Sequence, residues 1–105
     1  MRGQLVGRAQ MRRFLFGRTC TQQTFVNDKD EPIYVSLEPW PECFELEKGD
    51  RLTLIWEGPP SGDAAEIHFL NERELVVWLD GKIGNLEILF NGGSAEGRSW
   101  KFKHD

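Results

Sequence analysis

The side chains with the clearest chemical potential in this sequence cluster around position 40. Trp40 lies between Pro39 and Pro41, which restrict the backbone on both sides of the indole. The neighbouring carboxylates are Glu38, Glu42, Glu45 and Glu47. Because an indole offers a rigid apolar surface and carboxylates favour cations, this combination is typical of a site for a basic or polar partner. For Trp40 itself the favoured interpretation is a buried plug that closes the open end of the sandwich, and an exposed aromatic anchor for a partner is the alternative.

Two more aromatic residues extend this candidate site. Trp78 lies in the segment 74–79, where apolar side chains occupy both alternating positions, so its second face is either covered or a binding surface. Tyr34 lies on the side opposite the apolar positions of its own segment. Trp56 and Trp100 alternate with polar residues, which favours the core for both. The predicted ligand- or partner-binding residues are Trp40, Trp78, Tyr34, Glu38 and Glu42.

A metal site is the main alternative that involves chemistry. Imidazole and carboxylate groups are ordinary metal ligands, and His68, Glu66 and His104 are the residues to consider. Metal-binding cupins carry a His-x-His pair with a downstream glutamate and a further histidine, which this sequence lacks. A lone outward histidine beside an acid is more often a solvated sheet residue. The sequence therefore predicts no metal and no cofactor, and a cupin-like metal-dependent enzyme or ligand binder stays as the rival hypothesis.

Other catalytic constellations are missing from the sequence. It has no Gly-x-Ser-x-Gly nucleophile elbow, and neither Cys20 nor Cys43 has a histidine nearby in sequence. Glu45 and Glu47 could form a carboxylate pair for acid–base hydrolysis. Both are expected at outward positions of an alternating strand, where a carboxylate usually only keeps the surface solvated. These observations favour a non-enzymatic protein and leave enzymatic activity open.

Charge is distributed unevenly along the 105 residues, which suffice for one domain with its own core. Residues 1–22 hold five arginines and no acid, whereas residues 23–105 hold the other eight basic residues and all 17 acids, for a net charge of −9. An acidic domain repels phosphate, so nucleic acid is not expected as a partner of the main domain. No apolar run reaches the roughly 20 residues that a membrane-spanning helix needs.

The first 22 residues differ from the rest of the chain. They are expected to form a basic, flexible extension that ends in a short strand near Phe14, Leu15 and Phe16. Translation from Met11 is an alternative explanation for this segment. Cys20 and Cys43 are the only cysteines, and no apolar run typical of a secretory signal precedes them. Two reduced thiols in a cytoplasmic protein are the favoured interpretation, and a single disulfide between them is the alternative.

Alternation of apolar and polar residues with a period of two predicts β-strands from residue 23 onward. Turn signals separate these strands, among them Lys48-Gly49-Asp50, Asn71-Glu72-Arg73 and Asp80-Gly81, the last a favoured hairpin pair. The predicted strands are 23–26, 33–38, 43–47, 52–57, 65–70, 74–79, 86–90 and 99–103. The predicted fold is all-β: a single antiparallel β-sandwich or flattened barrel of seven to eight strands over residues 23–105, with residues 1–22 as the N-terminal extension.

The same alternation predicts which side chains form the core. Inward positions in the first half of the domain are Ile33, Val35, Leu37, Phe44, Leu46, Leu52, Leu54 and Trp56. Inward positions in the second half are Ile67, Phe69, Leu75, Val77, Leu79, Leu86, Ile88, Phe90, Trp100 and Phe102. Burial of this many large apolar side chains is enough to offset the backbone ordering of a small domain.

One stretch of the chain resembles a group of known proteins. The run Leu37-Glu38-Pro39-Trp40, followed by Phe44-Glu45-Leu46 and Gly49-Asp50, is similar to segments of small bacterial all-β proteins with a Glu-Pro-Trp turn and a later Gly-Asp turn. The resemblance covers residues 32–90. It implies a single all-β domain in a bacterial protein, and it brings neither an activity nor a site residue.

Together these observations predict a small, cytoplasmic, non-enzymatic module that binds a protein or a small polar ligand. A structural subunit of a larger assembly, in which an exposed edge strand pairs with a neighbour, is the further alternative. The sequence leaves the oligomeric state open.

Overall fold

The computed structural model describes residues 10–15, 18–39 and 41–99. Within these residues the chain is all-β and contains no helix, which confirms the predicted fold class. The strands are β1 (Gln10–Leu15), β2 (Arg18–Val26), β3 (Ile33–Glu38), β4 (Glu42–Leu46), β5 (Arg51–Glu57), β6 (Ala65–Phe69), β7 (Glu74–Leu79), β8 (Lys82–Phe90) and β9 (Gly93–Ser94). The described part of the chain accordingly holds no helix that could cross a bilayer.

The strands form two sheets that enclose one core. The five-stranded sheet has the order β1-β2-β5-β8-β9, and the four-stranded sheet has the order β4-β3-β7-β6. Alternate side chains of both sheets meet between them, as in a β-sandwich. The most deeply buried of these side chains, at most 1% exposed, are Val35, Leu37, Phe44, Leu46, Leu52, Leu54, Trp56 and Val77.

One strand pair departs from the predicted antiparallel arrangement. β3 and β7 run parallel, from the pair Tyr34 and Glu74 to the pair Glu38 and Trp78. After the β3–β4 hairpin the chain crosses to the five-stranded sheet as β5, and it returns as β6 at the far edge of the four-stranded sheet. The antiparallel partner of β6 is β7, which fills the place between β6 and β3 and therefore runs in the same direction as β3.

The Asp80-Gly81 pair is a corner between the sheets and not the predicted hairpin turn, because β7 and β8 belong to different sheets. The Trp56 indole nitrogen donates to the Asp80 carbonyl at 2.7 Å and ties this corner to the core. Gly81 has a φ of +98°, and a Cβ at this position would collide with the backbone of Glu57 and Gly58. Glycine is therefore required at this corner for two separate reasons.

The predicted core is largely confirmed. All eight inward positions of the first half are buried, and Val77, Leu79 and Phe90 are buried in the second half. Four others pack against the core in part: Ile67, Leu75, Leu86 and Ile88. The prediction for Phe69 is wrong, because this side chain is 76% exposed at the end of the edge strand β6. Trp100 and Phe102 lie outside the described residues, as does the predicted strand 99–103 apart from Ser99, which is not in a strand.

Strand β2 crosses the predicted boundary between residues 22 and 23. It pairs with β5 continuously from Thr21 to Val26, and its other side pairs with β1. The described residues before position 23 are therefore part of the five-stranded sheet. Residues 1–9, 16 and 17 lie outside the described residues. The flexibility expected for them stays a prediction.

Candidate functional site

The outer face of the four-stranded sheet brings together an exposed tryptophan and two carboxylates. Trp78 alternates with the buried residues Val77 and Leu79, so its side chain points away from the core and is 47% exposed. The strand register places Glu38 directly opposite Trp78 on one side and Glu66 directly opposite it on the other. In an antiparallel pair such as β6 and β7, directly opposed residues have Cβ atoms about 4.5–5.5 Å apart, so the Glu66 carboxylate lies within reach of the indole ring. Glu38 holds the corresponding register position on the parallel neighbour β3.

The neighbouring row of this outer face contains one aliphatic side chain. It belongs to Val76, which is half-buried and lies between Ser36 and His68 in the register. We use the name Trp78 face for the surface formed by Trp78, Glu38, Glu66, Val76 and His68. It combines an aromatic ring, one aliphatic side chain, an imidazole and two carboxylates on adjacent strands.

Charge separates the two sheets. The strands of the four-stranded sheet contain five glutamates and no lysine or arginine. The strands of the five-stranded sheet contain five basic residues, Arg12, Arg13, Arg18, Arg51 and Lys82, and two acids, Glu57 and Glu87. The Trp78 face therefore lies on the acidic sheet, whose strands contain no lysine or arginine, and the imidazole of His68 contacts one of its glutamates, Glu66, at 2.8 Å. Such a surface attracts cationic groups and repels anionic ones.

An open recess adjoins Trp78 at the end of β7. Its lining includes Trp78 and Leu79 together with three carboxylates, those of Asp63, Glu66 and Asp80. The recess continues the acidic character of the Trp78 face around the edge of the sheet. A side chain that reached over the indole would therefore meet carboxylates on both sides.

Tyr34 lies on the same outer face but at the opposite end of β3. It pairs with Glu45 of β4 on one side and with Glu74 of β7 on the other. Its hydroxyl donates a hydrogen bond to the Glu45 carboxylate at 3.3 Å. Partial burial and the negative charge of Glu45 raise the pKa of the Tyr34 hydroxyl above 10.0. Glu45 lies on the outer side as predicted, yet it is 7% exposed and does not serve as a solvated surface charge.

The structure separates Glu42 from the other predicted binding residues. Glu42 pairs with Leu37, an inward-facing residue, so it lies on the inner side of β4. It lines a second recess at the rim of the sandwich together with Phe44, Ile88 and Ala95. Of the five predicted binding residues, the Trp78 face thus unites Trp78 with Glu38. Trp40 lies outside the described residues, and neither interpretation of it is tested.

The residues considered for a metal are hydrogen-bonded to each other. His68 Nε2 lies 2.8 Å from Glu66 Oε1, and both side chains are at least half exposed. Over residues 10–15, 18–39 and 41–99, no group of three potential ligands comes together. His104 lies outside those ranges. The two cysteines, Cys20 in β2 and Cys43 in β4, belong to different sheets and both are free thiols.

Sequence reasoning missed the role of Glu66 in this surface. It named Glu66 only as a weak metal ligand, because the alternation shows that Glu66 and Trp78 both face outward but not that β6 and β7 align them. Nothing in the local sequence of either strand indicates that β3 pairs with β7. Only the assembled sheet shows that Glu38 and Glu66 flank the same indole.

Comparison with known proteins adds no further information about this site. No family model, no curated protein and no solved structure matches the chain. The resemblance described for residues 32–90 gains no support from these comparisons. The function must therefore be argued from the geometry alone.

Proposed function

We propose that this protein is a non-enzymatic binding module and that its Trp78 face takes a lysine- or arginine-bearing segment of a partner protein. The observation that carries the proposal is the half-exposed indole of Trp78 between the directly opposed Glu38 and Glu66. An ammonium or guanidinium group over the indole would gain cation–π attraction and would lie near carboxylates on both sides.

The expected affinity is modest. A cation–π contact at an exposed site contributes about 0.5–1 kcal/mol. An exposed ion pair contributes about 0.2–1 kcal/mol. One cation therefore gives only weak binding, and a useful affinity requires further contacts, for which Val76 offers an apolar surface beside the indole. Because exposed charges are screened within about 8–10 Å at physiological ionic strength, binding should weaken as salt is added.

The experiment is a titration of the isotopically labelled full chain with a short peptide that alternates lysine and arginine with glycine, followed by NMR. We expect shifts confined to the Trp78 indole and to residues of β3, β6 and β7. A peptide with glutamate in place of the basic residues should cause none. Shifts spread over both sheets, or equal shifts with both peptides, would contradict the proposal.

Two substitutions separate the contributions to binding. Trp78→Ala should weaken binding of the basic peptide about twofold to fivefold, and Glu38→Gln should weaken it by up to about fivefold, in line with the loss of one contact. Glu87→Gln is the matched control, because Glu87 is an exposed glutamate on the five-stranded sheet. Equal weakening by Glu87→Gln would show that net charge, and not this face, drives binding. Tight binding of a small polar molecule by the unmodified protein would replace the peptide proposal.

We also propose a reducing compartment, the cytoplasm of a bacterial cell. Support comes from the two free thiols, since free cysteines are most common in compartments that keep thiols reduced. The proposal of a bacterial cell rests on the resemblance of residues 32–90 to small bacterial all-β proteins. Fractionation of the native source with an antibody against the chain would test the proposed compartment. Recovery of the protein from an oxidising compartment would overturn that proposal.

A further inference from the structure

Strand β6 exposes one edge of the four-stranded sheet. Within the described residues it pairs with β7 on one side and with no strand on the other. Among the side chains that the structure describes, the two most exposed large apolar ones lie at its end: Phe69, which is 76% exposed, and Leu70, which is 62% exposed. An edge with unpaired backbone groups and exposed apolar side chains is a template for pairing with another chain.

The backbone of β6 shows which groups face this edge. The Leu70 amide donates to the Glu74 carbonyl at 2.9 Å, and the Asp80 amide donates to the Ala64 carbonyl at 3.0 Å. Hydrogen-bonding direction alternates along an antiparallel strand, so even-numbered residues of β6 direct their backbone groups toward β7. The backbone N–H and C=O groups of Ala65, Ile67 and Phe69 therefore point outward from the sheet.

We propose that two copies of this chain pair through β6, antiparallel and centred on Ile67. This register uses the outward backbone groups of Ala65, Ile67 and Phe69 in both copies, since Ile67 meets itself and Ala65 meets Phe69. It joins the two four-stranded sheets into one continuous sheet. The partner segment is thus the same five-residue strand, Ala-Glu-Ile-His-Phe, in the opposite direction.

Side-chain chemistry selects this register over its neighbours. Within one copy His68 Nε2 already lies 2.8 Å from Glu66 Oε1. Centred on Ile67, each Glu66 also lies opposite the His68 of the other copy, so each carboxylate lies beside an imidazole from both copies. A shift centred on Glu66 would place two carboxylates directly opposite each other, which is destabilising, and a shift centred on His68 would lose the pairing of carboxylate with imidazole.

The same register also covers the exposed apolar residues. Phe69 of one copy lies opposite Ala65 of the other, and Leu70 lies opposite Ala64. A large side chain thus meets a small one at each end of the pairing. This complementarity explains why the two most exposed large apolar residues lie next to each other at one end of β6. Glu66 and His68 also belong to the Trp78 face, but the inference does not rest on the proposed function, because the pairing uses Phe69 and the backbone of β6, which lie outside that face.

The test is sedimentation equilibrium of the full chain over a wide concentration range. An interface of one short strand pair is small, so we expect a monomer–dimer equilibrium with a dissociation constant in the micromolar to millimolar range. Phe69→Ala should raise that constant about tenfold or more, since it removes an apolar anchor from both ends of the symmetric interface. Val26→Ala is the matched control, because Val26 is 39% exposed on the other sheet and should leave dimerisation unchanged.

A charge swap tests the register itself. His68→Glu should weaken the dimer by placing two carboxylates opposite each other. The double variant Glu66→Lys with His68→Glu should restore it, because lysine then faces glutamate in both copies. Circular dichroism of each variant will separate loss of pairing from loss of the fold. A chain that stays monomeric throughout the range, or a dimer that tolerates both Phe69→Ala and His68→Glu, would overturn the proposal.

Discussion

Glu38 and Trp78 lie directly opposite each other on the parallel strands β3 and β7. They come from distant parts of the sequence, and their contact depends on β7 entering the sheet between β6 and β3. The same placement brings Glu66 to the other side of the indole. The candidate binding surface is therefore a product of sheet topology, and its properties can be tested independently of any partner.

The two tryptophans with opposite burial should differ in their effect on stability. Trp56 is 1% exposed and donates its indole N–H to Asp80, whereas Trp78 is 47% exposed. Trp56→Ala should lower the free energy of unfolding by about 3–5 kcal/mol. Trp78→Ala should lower it by about 1–2 kcal/mol, because much of its surface stays in water. Urea denaturation measures both, and equal losses would show that Trp78 is a structural residue.

A buried asparagine, Asn27, should contribute more to the stability of the fold than a polar loop residue usually does. Asn27 is 1% exposed, donates from Nδ2 to the carbonyls of Glu31 and Leu46 at 2.9 and 2.8 Å, and accepts from the Lys29 amide at 2.8 Å. Asn27→Ala would remove these three hydrogen bonds, of which the one to the Leu46 carbonyl is buried and the other two are partly buried. The free energy of unfolding should fall by about 2–4 kcal/mol, from three lost hydrogen bonds at about 0.5–1.5 kcal/mol each.

Asn71→Ala is the control for that substitution. Asn71 also uses its side chain to hold a turn, accepting from the Arg73 amide at 2.8 Å, but it is exposed to solvent. Water can replace its hydrogen bonds, so the loss should stay below about 1 kcal/mol. If thermal or urea denaturation gives the same loss for both asparagines, burial is not what makes Asn27 important.

Gly81 should tolerate a side chain less well than another glycine of similar backbone conformation. Gly81 has a φ of +98° and faces the backbone of Glu57 and Gly58, whereas Gly62 has a φ of +83° and open space around it. Gly62→Ala should cost about 1–2 kcal/mol for the left-handed conformation alone. Gly81→Ala should cost clearly more, because the corner between the sheets must also move. Equal denaturation midpoints for the two variants would contradict this interpretation of the corner.

The pKa of Tyr34 can be measured directly, because it is the single tyrosine in the sequence. Partial burial and the Glu45 carboxylate raise this pKa above 10.0, so phenolate absorbance should appear at higher pH in the folded protein than in denaturant. Glu45→Gln should lower the folded-state midpoint by removing the negative charge. A midpoint at or below that of the denatured chain would show that the Tyr34–Glu45 hydrogen bond does not form in solution.

The same shift has a consequence for stability. Between the unfolded pKa of 10.0 and the higher folded pKa, the folded state binds more protons than the unfolded state. The free energy of unfolding must therefore fall as pH rises through that interval. In Tyr34→Phe this part of the fall should be missing, and a curve identical to that of the unmodified protein would contradict the shift.

The metal hypothesis predicts a different result from the binding-module hypothesis. Of the residues considered for a metal, the described part of the chain brings only His68 and Glu66 together, in an exposed hydrogen bond. We expect less than stoichiometric metal in the full chain purified without chelator, and no change in stability after chelator is added. Stoichiometric metal that is lost in His68→Ala would favour the cupin-like alternative instead.

The sequence by itself determined where most strands lie and which residues form most of the core. A period of two is a local property, so Ile33, Val35 and Leu37 had to share one face wherever β3 was placed. The prediction failed for Phe69 because alternation shows which face a side chain occupies but not whether another sheet covers that face. Asn27 escaped notice for a similar reason, since a polar residue in a polar loop gives no sign of burial.

Only the tertiary structure determined which strands pair with each other and which sheet each strand joins. The parallel β3–β7 arrangement, the role of Asp80-Gly81 as a corner and the separation of Glu42 from Glu38 all depend on which sheet each strand joins. Strand pairing is a choice among partners distant in the chain, made by the packing of the whole core. Short-range alternation is the same for every such choice, so the alignment of Glu38, Trp78 and Glu66 exists only in the folded protein.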